Sequence, residues 1–257
     1  MNIGIIQARM GATRLPGKPL IKLLDEVTLL EYQIRRTRKS KLLGNIVVAT
    51  STEESDRAIE KLCNSIGVPC FRGSESDLLK RYYECAKAYK ADVITRLTAD
   101  CPFSDPEVID SVIALFLKEK ADYAANTVPP ETSAYPDGFD VEVFSFSALE
   151  RAYSEATLPC DREHVTFYFW KYKNGFKCVQ LQGRNNFSKY RLTIDYLEDL
   201  KVVKFAADIL EKEGRFGTMQ EVIDILDANP SIKALNSRYY FGIGWEHGKS
   251  NIIIPVV

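Results

Sequence analysis

Asn2-Ile3-Gly4-Ile5-Ile6-Gln7 opens the chain as a short apolar run, and Ala8-Arg9-Met10-Gly11-Ala12-Thr13-Arg14-Leu15-Pro16-Gly17-Lys18-Pro19-Leu20 follows at once. The run predicts a buried strand closed by Gly and Pro turn signals. The segment after it carries three cations, two glycines and a hydroxyl, and no acid. Such a loop at the carboxyl end of a parallel strand suits a polyanion. Arg presents a planar fork of donors to phosphate oxygens, and Lys a compact point charge. An ordinary basic surface turn has the same composition, so these residues point to phosphate without fixing a reaction. Two familiar loops are excluded. A Walker A loop has Ser or Thr directly after its Lys, whereas Pro19 follows Lys18 and five residues separate Gly11 from Gly17. The Gly-x-Gly-x-x-Gly of a dinucleotide site does not occur in this segment either.

Outward from this loop, helical and strand patterns alternate. Helices are predicted over Thr28–Arg38, Glu53–Ser65, Ser76–Tyr89 and Asp105–Lys118. Strands are predicted over Asn45–Thr50, Val68–Phe71, Ala91–Leu97 and Asp122–Ala125. Pro106 directly after Asp105 marks a helix start, where its missing donor does no harm. The alternation implies an α/β fold in three layers, an open, mostly parallel sheet with helices on both faces. Ligands of such sheets bind outside the carboxyl ends of the strands.

From Thr127 the rhythm changes. Pro129, Pro130, Pro136, Asp137 and Gly138 make a turn-rich stretch before the alternating Phe139–Phe144. This middle block, 127–170, reads as a β-containing excursion from the sheet that covers the site or pairs subunits. Helices are predicted over Ser147–Ser154, Arg162–Lys173 and Leu197–Glu213, and strands over Lys177–Leu181 and Tyr190–Ile194. The apolar end Ile252–Val257 reads as an added strand or a partner contact. The chain is thus one domain over 1–236, with a tail over 237–257 of open role.

Composition limits the partners. The 34 basic and 35 acidic residues give a net charge of −1, so no global field draws the chain to nucleic acid or an anionic membrane. Any anion site is local. The six cysteines form no Cys-x-x-Cys pair, and His164 and His247 are far apart, which argues against a zinc site or a disulfide framework. No stretch has the length of a membrane span. The first residues run straight into a strand, so a cytoplasmic location is expected.

Two pentapeptides nearly repeat, Arg96-Leu97-Thr98-Ala99-Asp100 and Arg191-Leu192-Thr193-Ile194-Asp195. Each ends a predicted strand on an Asp. If both strands run parallel to the first, Asp100 and Asp195 emerge beside the basic loop. Two carboxylates next to phosphates suit Mg²⁺, while an Asp at a helix start equally well caps it. Glu198 and Asp199 fall in an acidic first helical turn and read as structural. Asp137, Asp140 and Glu142 suit hydrogen bonding to a polyhydroxyl substrate, or a solvated face. Arg162 and His164, at the start of a predicted helix, suit an acidic substrate, although a lone His there is more often a packed residue.

The ordered motifs resemble a known group. Ile5 to Lys18 is similar to the opening of the SpsF type of spore coat polysaccharide biosynthesis proteins, within the cytidylyltransferase superfamily that includes the CMP-KDO and CMP-sialic acid synthetases. Val47-Val48-Ala49-Thr50, Phe71-Arg72-Gly73-Ser74, Arg96 to Pro102, Tyr135 to Phe144, Arg162-Glu163-His164-Val165 and Leu192-Thr193-Ile194-Asp195 extend the resemblance over 1–236. Two departures stand out. Ala12 replaces the usual Ser, and Tyr196-Leu197 replaces the usual Thr/Glu-Pro.

The resemblance implies a nucleotide-diphospho-sugar transferase fold, a homodimer, and Mg²⁺-dependent transfer of CMP from CTP with release of pyrophosphate. The acceptor would be a nonulosonate, a KDO-like acid or a smaller phosphorylated compound. Nucleotide contacts would come from Gln7, Ala8, Arg9, Gly11, Thr13, Arg14, Lys18, Thr98 and Asp100, with Arg9, Arg14 and Lys18 on the triphosphate. Arg9, Lys18, Asp100 and Asp195 would carry the chemistry, the two aspartates as metal ligands. Asp137, Asp140, Glu142, Arg162 and His164 would meet the acceptor. A glycosyltransferase on a related fold would normally show an Asp-x-Asp motif, which Asp100-Cys101-Pro102 is not. A non-catalytic subunit would not need both the cations and the acid pair.

Overall fold

In the computed structural model the described residues are 1–171 and 174–239. In chain order the elements are β1 (Asn2–Gln7), α1 (Leu29–Thr37), β2 (Asn45–Ser51), α2 (Arg57–Ser65), β3 (Cys70–Gly73), α3 (Leu78–Ala88), β4 (Val93–Thr98), α4 (Pro106–Glu119) and β5 (Tyr123–Ala125). Then come β6 (Glu142–Ser145), α5 (Phe146–Glu155), α6 (Pro159–His164), α7 (Phe167–Trp170), β7 (Cys178–Gln180), α8 (Leu197–Lys212), α9 (Met219–Asp227) and α10 (Pro230–Lys233). The strands form one sheet in the order β3-β2-β1-β4-β6-β5-β7. Only β6 runs against its neighbours, pairing antiparallel with β4 and β5.

Local chemistry explains the boundaries. Ile3 to Ile6 are buried on both faces of β1, as a central parallel strand requires. The Thr28 hydroxyl accepts from Glu31 N and starts α1. Asp105 caps α4 by accepting from Glu107 N and Val108 N, with Pro106 in the first turn. Ile3, Ile5, Val47 and Ile94 pack under α3 and α5 on one face, while Ile6, Val48 and Leu97 pack under α1, α2 and α4 on the other. A third apolar cluster joins Leu15, Leu23, Phe103, Phe139, Leu192 and Ile194 to α8 and α9.

Several expectations are corrected. The block 127–170 does not simply leave the sheet, because Glu142–Ser145 enters it between β4 and β5. The apolar residues Val143 and Phe144 fill the two opposite cores, which holds the strand there. Among the described residues Tyr190–Ile194 joins no ladder beyond a single bridge between Asp137 and Arg191. Its backbone is taken up by loops, Leu192 N donating to Asp137 O and Ile194 N to Asp100 O. The helix expected from Arg162 begins earlier, at Pro159, and is broken after His164, where Val165 takes a positive φ of 58°. Such a backbone is strained for a β-branched residue. α9 was not anticipated, although Thr218-Met219-Gln220-Glu221 is a capping box. Tyr172 and Lys173, and the tail from 240 onward, lie outside the described residues.

Candidate active site

The loop after β1 is closed by its own backbone. Gly17 sits at φ 72°, and its N–H donates to Met10 O at 2.9 Å. Asp56, fully buried, accepts from Met10 N and from Ser51 N and Oγ, fastening the loop to β2. Burial would raise the Asp56 carboxyl, but these donors bring it below its ordinary value. β1 and β4 run parallel, so the loops 8–18 and 99–105 emerge at the same edge. The antiparallel β6 begins at that edge, and its register sets Glu142 opposite Arg96. A cleft of about 670 Å³ opens there.

Lys18 occupies the centre of the cleft's acidic side. Its Nζ lies 2.9 Å from Asp100 Oδ2, 3.1 Å from Asp195 Oδ1 and 2.8 Å from Ile194 O. Arg14 reaches the same Asp195 oxygen at 2.8 Å. Burial alone would raise the Asp100 carboxyl, yet the Lys18 charge and hydrogen bonds from Thr98 and Lys18 hold it at about 2. Asp195 is also lowered, Lys18 and Arg14 overcoming burial and the repulsion of Asp100. Both carboxylates are therefore ionised at neutral pH. This donor set fits a small hard cation, since Mg²⁺ is usually held by one or two carboxylates completed by phosphate oxygens. Among the described residues no group of three or more His, Cys, Asp or Glu side chains forms a metal cage.

Arg191 organises the acids behind this pair. It donates to Asp137 at 2.6 Å, Asp195 at 3.0 Å and Asp199 at 3.0 Å. Asp199 in turn accepts from Asp195 N and Tyr196 N, a structural role as expected from its place in the first turn of α8. Asp140 accepts from Thr127 Oγ1 and Gly138 N, both at 2.8 Å, and has no cation partner among the described residues. Burial raises both Asp137 and Asp140, the first also through Asp140 beside it.

The far side of the cleft is built on Arg96. It pairs with Glu142 and donates to Gln7 Oε1, and Glu142 also accepts from Tyr123 OH at 2.5 Å. Glu142 is thus engaged on both oxygens. His164 lies against the Phe167 ring with centroids 4.3 Å apart, and burial lowers its imidazole pKa.

The lining residues include Gln7 at the end of β1 and Ala8, Arg9, Thr13, Arg14 and Lys18 from the first loop. Thr98, Asp100, Asp137, Asp140, Glu142, His164 and Asp195 line it as well. Gly11 and Arg162 do not. Arg162 ties α6 to the N-terminus of α3, through Asp77 at 2.7 Å and the carbonyls of Tyr153 and Ala156. Unanticipated in the lining are Arg81, Arg96, Arg191 and Thr193. Arg96 was legible, since a strand puts residues 96 and 98 on one face.

The chain matches the family model described as cytidylyltransferase over residues 3–226. It is 42% identical to an uncharacterized protein of Methanocaldococcus jannaschii, over 91% of this chain and 94% of that one. It is 35% identical to the spore coat polysaccharide biosynthesis protein SpsF of Bacillus subtilis, over 88% and 94%. Among solved structures, a cytidylyltransferase from Leptospira borgpetersenii superposes with a TM-score of 0.83 at 37% identity, covering 90% of this chain and 95% of that one. A CMP-KDO synthetase in complex with CTP gives a TM-score of 0.59 at 16% identity, covering 82% and 99%, a likeness of fold.

Proposed function

The chain belongs to the cytidylyltransferase family and is a nucleotidyltransferase, and we propose that it transfers CMP from CTP to a sugar acid of nonulosonate or KDO-like type, releasing pyrophosphate, in the synthesis of a surface polysaccharide or glycan. The observation that carries the reading is the convergence of Asp100 and Asp195 beside Lys18 and Arg14 at the carboxyl ends of β1 and β4. The SpsF relative named for spore coat polysaccharide supports the product class. A 3-deoxy-manno-octulosonate cytidylyltransferase of Bdellovibrio bacteriovorus, 33% identical over 49% of this chain and 51% of its own length, supports the acceptor class.

In this reading an acceptor oxygen attacks the α-phosphorus of CTP, the new O–P bond forms, and the bond to pyrophosphate breaks. The protein acts mainly by positioning and charge neutralisation. Arg9 and Arg14 receive the triphosphate and then the leaving pyrophosphate. Asp100 and Asp195 would hold Mg²⁺, which when bound supplies positive charge at the reacting phosphate. Asp140 accepts the hydrogen bond, and then the proton, of an acceptor hydroxyl, since burial raises its pKa and makes its carboxylate a stronger base. Asp137 and His164 border the same region. The protein works in the cytoplasm as a homodimer, the block 127–170 covering the site or pairing the subunits.

The test is pyrophosphate release with Mg²⁺, each of the four nucleoside triphosphates singly, and a panel of sugar acids and sugar phosphates. Release with CTP and a sugar acid is expected. Release only with another nucleotide, or no binding of CTP at all, would reject the reading.

A further inference from the structure

An ammonium group has three N–H donors. At Lys18 all three meet protein acceptors, the carboxylates of Asp100 and Asp195 and the carbonyl of Ile194, at 2.8 to 3.1 Å. None is left for a phosphate oxygen. The triphosphate contact expected of Lys18 and this arrangement therefore exclude each other. The same ammonium lies on the two carboxylates that the function proposed above assigns to the divalent ion.

We propose that Lys18 is a placeholder cation, which keeps free divalent metal off Asp100 and Asp195 and yields them only to a metal ion that arrives with nucleotide phosphates. The proposal rests on the metal assignment above. A lone divalent ion must displace the ammonium and leave it without its two carboxylates in a partly buried site, where the Lys18 side chain is 12% exposed. A metal–triphosphate complex brings its own oxygens, so the ammonium exchanges two carboxylates for phosphate and stays neutralised. Arg14 on Asp195 holds that carboxylate in position through the exchange. The ligand class selected is the metal–nucleotide complex, not the ion.

The probe is Mn²⁺, titrated by electron paramagnetic resonance against the full chain with and without CTP. Wild type should take up Mn²⁺ weakly alone and tightly with CTP. Lys18→Met should bind Mn²⁺ alone roughly tenfold more tightly than wild type, since two partly exposed ion pairs no longer compete. Lys18→Gln, a second neutral variant, should move in the same direction if Lys18→Met fails to fold. Equal or weaker uptake by the neutral variants, with Asp100→Asn still weakening Mn²⁺ uptake in the presence of CTP, overturns the placeholder and leaves the metal assignment standing. A gain that survives Asp100→Asn in the Lys18→Met chain means that the ion sits elsewhere, and it removes both.

Discussion

Arg191 donates to Asp195 at 3.0 Å from a guanidinium that also holds Asp137 and Asp199, so one buried cation sets the position of an acid at the centre of the cleft. Asp199 is fully buried. Arg191→Met would leave Asp199 and Asp137 without their cation, and removing one partner of a buried ion pair costs about 3–5 kcal/mol. Urea unfolding should show a loss of that size. A loss within that of an ordinary surface substitution would mean that Arg191 is not the hub of this side.

Gly138 joins the acidic turn to the segment before Asp195. Its φ is 105°, and a Cβ there would lie 2.3 Å from Leu192 C and Thr193 N. Both neighbours are backbone and have no easy way to yield. Gly138→Ala should therefore destabilise the fold by about 3 kcal/mol or more, through strain and overpacking together. Thermal unfolding measures it, and an unchanged midpoint would contradict the close approach.

The Asp100 carboxyl lies below its unfolded value because of Lys18 and Thr98. A depressed acid stabilises the fold above its unfolded pKa, and that contribution is lost as pH falls through about 2. The stability difference between wild type and Asp100→Asn should therefore shrink on acidification from about pH 5 to about pH 2. A constant difference would disconnect Asp100 from Lys18. At neutral pH the same variant should lose roughly 10²- to 10³-fold in pyrophosphate release, the usual loss for one electrostatic contact to a reacting group.

Arg162 gives the opposite prediction. It bonds Asp77 and two carbonyls and does not line the cleft. Arg162→Ala should lower stability by about 1–3 kcal/mol, through lost charged hydrogen bonds, with CTP affinity nearly unchanged. Calorimetric titration with CTP checks the second part. A large loss of CTP affinity in a stable variant would return Arg162 to the site.

The first loop was legible because its signals are local. A buried apolar run, turn glycines and a cluster of cations need no partner to be recognised. Helix starts at Thr28 and Asp105 were legible for the same reason, since a cap acts within three residues. Arg162 misled because a charge near a helix end carries no record of which way it faces. Its partner Asp77 lies 85 residues away. The strand expected at Tyr190–Ile194 misled because an apolar, β-branched segment has the same pattern in a ladder or packed on loops.

By itself, the sequence determined the alternating α/β order, the basic loop after β1 and the two aspartates that end matching pentapeptides. Each depends on residues adjacent along the chain. Only the tertiary structure decided that β6 turns back into the sheet to face Arg96 with Glu142, and that Lys18 bonds both Asp100 and Asp195. Those pairings join residues 46, 82 and 177 positions apart. Charge complementarity alone permits many such pairs, and the packing of the sheet and its loops selects among them.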